Sequence, residues 1–174
     1  MKKLSIGLLV MLLLTGAVQA QRNSEKLDKL KQSLTDKIGD NMPGWTHHSV
    51  TPIEGSKNVI VDQWEAGNVI VRAAVNEYDT EESAAAALKD FRKRLKSEQD
   101  TTASRGKPNF RLIKDDLPDL GDGGFLWDVR GSDAVAFRKK NFLAFVSVVG
   151  PWDYKDTVLS RLFAQHVADA LATQ

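Results

Sequence analysis

Asn141-Phe142-Leu143-Ala144-Phe145-Val146-Ser147-Val148-Val149 is the stretch that decides the fold. With the two-residue period of a strand, Phe142, Ala144, Val146 and Val148 fall on one side. Leu143, Phe145, Ser147 and Val149 fall on the other. Both sides are apolar, so the segment reads as a central strand covered on both faces.

Two more strand-like runs stand immediately upstream, Phe125 to Arg130 and Asp133 to Arg138. Lys139-Lys140 and Gly131-Ser132 are short enough to serve as hairpin turns. In the first run Phe125, Trp127 and Val129 alternate with Leu126, Asp128 and Arg130, which predicts one wet or partly wet face. Further back, Asn58 to Trp64 and Asn68 to Val75 form a second hairpin around Glu65-Ala66-Gly67-Asn68. Trp45 to Ile53 reads as extended, and Phe110 to Ile113 as a short strand.

Three helices frame these strands. Ser24 opens one that Gly39 ends, with Leu27, Leu30, Leu34 and Ile38 at helical spacing. That stripe predicts a helix laid on the sheet, or paired with another helix. Asp79 caps a second helix, with Glu82 returning the bond, and Ala84, Ala87, Leu88, Phe91 and Leu95 turn inward to about Ser97. Glu98 to Asn109 then reads as a polar loop. After Gly150-Pro151, Asp153 caps a last helix to about Ala172. Its inward set is Val158, Leu159, Leu162, Phe163, Val167, Ala170 and Leu171.

The expectation is therefore α+β: an antiparallel sheet of five or six strands with helices packed on it. There is also an internal echo. A hairpin ending at Asn68-Val69-Ile70-Val71 precedes a helix, and so does one ending at Asn141-Phe142-Leu143-Ala144, which predicts two related β-β-α units.

The N-terminal end reads as an export signal. Lys2 and Lys3 precede an apolar run from Leu4 to Leu14, and Val18-Gln19-Ala20 offers small residues for cleavage. The run is shorter than the roughly 20 apolar residues a membrane-spanning helix needs. Residues 1–20 are thus expected to be removed, leaving 21–174 as one domain. Those residues carry 22 basic and 23 acidic side chains. Such balance argues against nucleic acid as a partner and against broad attachment to an anionic membrane. The chain has no cysteine, which excludes disulfides and thiolate–zinc sites. The expected location is periplasmic or secreted, with no stable membrane insertion after cleavage.

Residues that carry chemistry are scattered. Lys89, Arg92, Lys93 and Lys96 share one face of the second helix and make a candidate surface for an anionic partner. Cations near a helix C-terminus are also favoured by its dipole. Trp45 and Trp152 stand beside Gly or Pro and make a candidate apolar contact surface. Asp116, Asp119 and Asp122, with Asp115 before them, make a candidate calcium loop without the EF-hand spacing. His47 and His48 are adjacent on a strand and so point to opposite faces. His166 stands on the last helix. No Gly-x-Ser-x-Gly elbow or phosphate loop is present.

Leu120-Gly121-Asp122, with the later Phe137-Arg138-Lys139-Lys140-Asn141, resembles a turn-and-hairpin pattern of small exported bacterial α+β domains. The resemblance spans about the last third of the chain and implies no catalytic residue. The functional expectation is a non-enzymatic envelope domain that binds an envelope protein or small ligand through its sheet edge or loops, with no cofactor. The alternatives are a hydrolase using carboxylates and a histidine, and a calcium- or metal-responsive protein.

Overall fold

The computed structural model describes residues 24–50, 59–103, 110–129, 132–151 and 156–174. Residues 1–20, Trp152 and Asp153, on which three of the expectations rest, lie outside them. The elements run α1 (Ser24–Asn41), β1 (Thr46–Val50), β2 (Val59–Ala66), β3 (Val69–Glu77), α2 (Glu81–Ala103), β4 (Phe110–Lys114), β5 (Gly124–Val129), β6 (Ser132–Lys139), β7 (Phe142–Val149) and α3 (Thr157–Ala172).

The strands form one antiparallel sheet in the order β1-β2-β3-β7-β6-β5-β4. Seven strands replace the five or six expected, because β1 and β4 both pair as edges. As its sequence dictates, β7 is central, between β3 and β6, and apolar on both faces.

Each face has its own core. On one, Ile60, Trp64, Val71, Ala73, Val146 and Phe137 meet α1 through Leu30, Leu34 and Ile38, and α3 through Phe163, Ala164 and Val167. On the other, Val61, Ala74, Leu143, Phe145, Phe125 and Trp127 receive Phe91 and Leu95 of α2. Phe91 sits edge-on to Phe145 and Trp127 at 4.9 and 5.3 Å between ring centres. Helix α1 therefore both covers the sheet and pairs with α3 in the same layer. Strand β5 is drier than its alternation predicts. Leu126 is buried against the α1–α3 face, and wetting begins only at Asp128.

The helix ends differ from expectation in instructive ways. Thr80, not Asp79, caps α2: its Oγ1 accepts from Ser83 N at 3.1 Å. A hydroxyl one residue later meets the same need for a side-chain acceptor. The helix also continues to Ala103, six residues past Ser97. Asp156 caps α3, its carboxylate accepting from Leu159 N at 2.8 Å. Val158 and Leu162, expected inward, face outward instead, 75% and 41% exposed. The small Ala164 and Ala168 face the sheet in their place.

The echo holds for the hairpins and fails for the helices. Ala66 pairs with Val69 and Lys139 with Phe142, so the β2–β3 register repeats in β6–β7 with a constant offset of 73 residues. At the sheet centre Ala73 pairs with Val146, its own counterpart under that offset. Yet α2 and α3 cover opposite faces. A true repeat of the β-β-α unit about that centre would place both helices on one face.

The Leu120-Gly121-Asp122 turn and the Arg138-Lys139-Lys140 hairpin prove to be a single contact. Asp122 N donates to Arg138 O at 2.7 Å and Arg138 N to Gly123 O at 2.9 Å. The Asp122 carboxylate accepts from Lys140 N at 2.7 Å and Lys139 Nζ at 3.1 Å. Gly124 is required by close approach: a Cβ there would lie 2.6 Å from Ala136 O.

Candidate binding site at the sheet edge

Strand β2 reads Val59-Ile60-Val61-Asp62-Gln63-Trp64. By the two-residue period Asp62 shares a face with Ile60 and Trp64. That face is the α1–α3 core, so a carboxylate is carried into an apolar layer. Its side chain is 1% exposed.

Two side chains from neighbouring elements close on it. His47 of β1 reaches Asp62 Oδ1 with Nε2 at 3.1 Å. Lys31 of α1 stands 3.7 Å from the same oxygen. Lys31 Nζ also donates to Ser49 Oγ of β1 at 2.5 Å. The β1–β2 register makes this possible, since Ser49 pairs with Asp62 and His47 with Trp64. Under the imidazole lies the Trp64 indole, 5.4 Å away.

Among the described residues Asp62 Oδ2 has no hydrogen-bond partner. An orphaned buried acceptor costs about 1–3 kcal/mol, more when charged. Burial pushes the Asp62 carboxyl above its ordinary value, and the bond from His47 and the charge of Lys31 oppose that only in part. Buried, perturbed carboxylates beside specific partners cluster at functional sites. Lys31 and His47 are 32% and 28% exposed, so the cluster reaches solvent through them.

Sequence reasoning singled out His47 alone from this group. The missed signal is Asp62 itself, an acid at an inward position between Ile60 and Trp64.

The other candidates are distributed over the surface. Arg92 and Lys96 both bind Asp115, with Arg92 Nε and Lys96 Nζ at 2.5 and 2.7 Å from its carboxylate. Arg92 donates to Asp115 O as well. Bonds from Arg92, then Lys96, hold the Asp115 carboxyl below its ordinary value. This fastens α2 to the segment after β4, leaving Lys89 and Lys93 exposed on the helix. Asp119 pairs with Arg161 at 2.6 Å, and Asp122 with the hairpin. Burial raises the Asp122 carboxyl, but the Lys140 N–H and the charges of Lys139 and Arg138 bring it below its ordinary value. Asp116 is exposed. Among the described residues no three His, Cys, Asp or Glu side chains gather as a metal ion would need. Trp45 is half-buried, edge-on to Phe163 at 4.9 Å. His166 is half-buried on α3, and burial lowers its pKa.

A second surface feature lies on α3. Val158 and Leu162, with Asp119, Thr157, Arg161 and Gln165, line a groove of about 310 Å³.

No family model matches the chain, and no curated protein matches it. Among solved structures it is similar to the extracellular domain of PknH from Mycobacterium tuberculosis. The TM-score is 0.53 and the identity 11%, over 90% of this chain and 100% of that one. At that identity the likeness establishes a shared fold.

Proposed function

We propose that this chain is an exported, non-enzymatic domain of the bacterial envelope that binds a small ligand or partner protein at the β1 edge of its sheet. The observation that carries the reading is Asp62: a buried carboxylate with one orphaned oxygen, behind the partly exposed Lys31, His47 and Ser49. Such a group is a cost to the fold, and a bound molecule offering a donor would relieve it. Export is supported by the N-terminal pattern of Lys2, Lys3, the Leu4–Leu14 run and Ala20. It is also supported by the fold shared with a domain described as extracellular. Among the described residues no helix is long and apolar enough to cross a membrane.

The test is native mass spectrometry of the protein recovered from the envelope fraction of its host. The reading expects a chain beginning after Ala20 and carrying added mass, and expects Asp62→Asn to lose that mass. Recovery from the cytoplasm with residues 1–20 attached would overturn export. Added mass retained by Asp62→Asn would remove the site.

The His47–Asp62 contact favours a second reading, hydrolysis. There Ser49, hydrogen-bonded to Lys31, would be the nucleophile, as in serine–lysine enzymes. Turnover of a chromogenic ester or amide, abolished by Ser49→Ala, would support it. No turnover would leave binding as the account.

A further inference from the structure

The two edges of the sheet are treated differently. Strand β4 carries the devices that keep an edge from pairing. Arg111 and Lys114 lie within it, its register shifts between Leu112 and Lys114, and the Leu112 N–H is taken by Gln99 Oε1 of α2 at 2.8 Å. Strand β1 carries none of them. Thr46-His47-His48-Ser49-Val50 holds no Lys, Arg, Asp, Glu, Pro or Gly. It runs unbroken along β2 from Thr46↔Glu65 to Val50↔Val61. Among the described residues no side chain bonds to its backbone.

This edge also carries a charge signature. Lys31 holds its ammonium on Ser49 Oγ, 32% exposed. On this face the row across the sheet runs Ala73, Asp62, Ser49. A strand added outside β1 would continue the row, placing one side chain opposite Ser49 and beside Lys31. Cross-strand neighbours have Cβ atoms about 4.5–5.5 Å apart, within reach of a carboxylate on the incoming strand.

We infer that β1 is a docking edge for an extended peptide segment of a partner protein, added as an eighth strand with an acidic residue opposite Ser49 that pairs with Lys31. This deepens the binding reading above and rests on it. Backbone hydrogen bonds supply the attachment and the Lys31 contact supplies selectivity, as in other strand additions. Asp62 behind Lys31 holds the ammonium near the edge.

The test uses the mature, isotope-labelled protein and two short peptides of alternating valine and threonine. One has a central aspartate, the other a central lysine. Amide exchange and resonance shifts are followed by NMR. The aspartate peptide is expected to slow exchange within Thr46–Val50 and to leave β4 unchanged. It should bind about tenfold more tightly than the lysine peptide, a factor within the reach of one charge pair. Lys31→Ala should bring the two affinities together while the spectrum of the free protein stays native. Equal affinities for both peptides, or protection at β4 instead, would overturn the inference. So would protection of β1 without peptide, with a dimer mass, since the occupant is then a second copy. Shifts around Asp62 without protected β1 amides would overturn strand addition and leave ligand binding standing. No response at either place would count against both.

Discussion

The Asp122 carboxylate holds the backbone N–H of Lys140 at 2.7 Å, and Lys140 is the one described residue other than glycine with a positive φ, 51°. The left-handed conformation disfavours side chains, so this turn persists because something over-determines it. Asp122 supplies that constraint from the turn before β5, together with contacts to Lys139 and Arg138. Asp122→Ala is expected to lower unfolding free energy by roughly 1–3 kcal/mol. Urea denaturation of the two proteins measures it. A loss below half a kilocalorie would mean that the hairpin stands by itself.

Asp62 and the pair Asp115 and Asp122 are expected to act on stability with opposite signs. Burial raises the Asp62 carboxyl, so the fold binds its proton more tightly than the unfolded chain does. Its stabilising contribution is full below the ordinary value of 3.8 and is lost as pH rises through the folded value. Asp62→Asn removes that dependence. The variant should therefore gain on the wild type as pH rises from acid to neutral. A gap that stays constant with pH would show that His47 and Lys31 fully compensate burial.

For Asp115 and Asp122 the folded values lie below 3.8, so their contribution is present above it and lost as pH falls through the folded values. A variant with both replaced by Asn should show a shallower loss of stability in strong acid. Thermal unfolding between pH 2 and pH 5 reads the difference. An unchanged acid limb would place acid sensitivity elsewhere.

The two faces of α3 should respond unequally. Phe163 is fully buried between Trp45 and Trp64. Phe163→Ala is expected to cost about 3–5 kcal/mol. Leu162→Ser, at the neighbouring position, should cost less than about 1 kcal/mol, because its side chain already meets water. A large loss at Leu162 would mean that the groove beside Arg161 is covered in solution.

How much of this was legible in the sequence depended on period. Phe142 to Val149 announced a strand covered on both sides, and it is the central one. The hairpins around Gly67 and Lys140 were equally plain. The inward stripe of α3 is narrower than its helical spacing suggests. Val158 and Leu162 fit a helical spacing, but alanines at 164 and 168 bring the helix close to the sheet and set which side is inward. Capping fell one residue off at Thr80, because Asp79 offers the same kind of acceptor. The Asp62 cluster joins α1, β1 and β2, and no local pattern brings Lys31 near Ser49. Only the parity of Asp62 with Ile60 and Trp64 pointed to it.

The Ala73↔Val146 seam has a kinetic meaning. Each hairpin beside it closes through a short turn, which is a fast local event. Joining β3 to β7 instead brings together residues 73 positions apart. Such distant pairing carries the chain-entropy cost before its contacts repay it, and this slows folding. The two hairpins are thus expected to form early and the seam late. Until they meet, the flanks of β3 and β7 remain open to mispairing, and a chain crossing a membrane before folding would face that hazard on the far side.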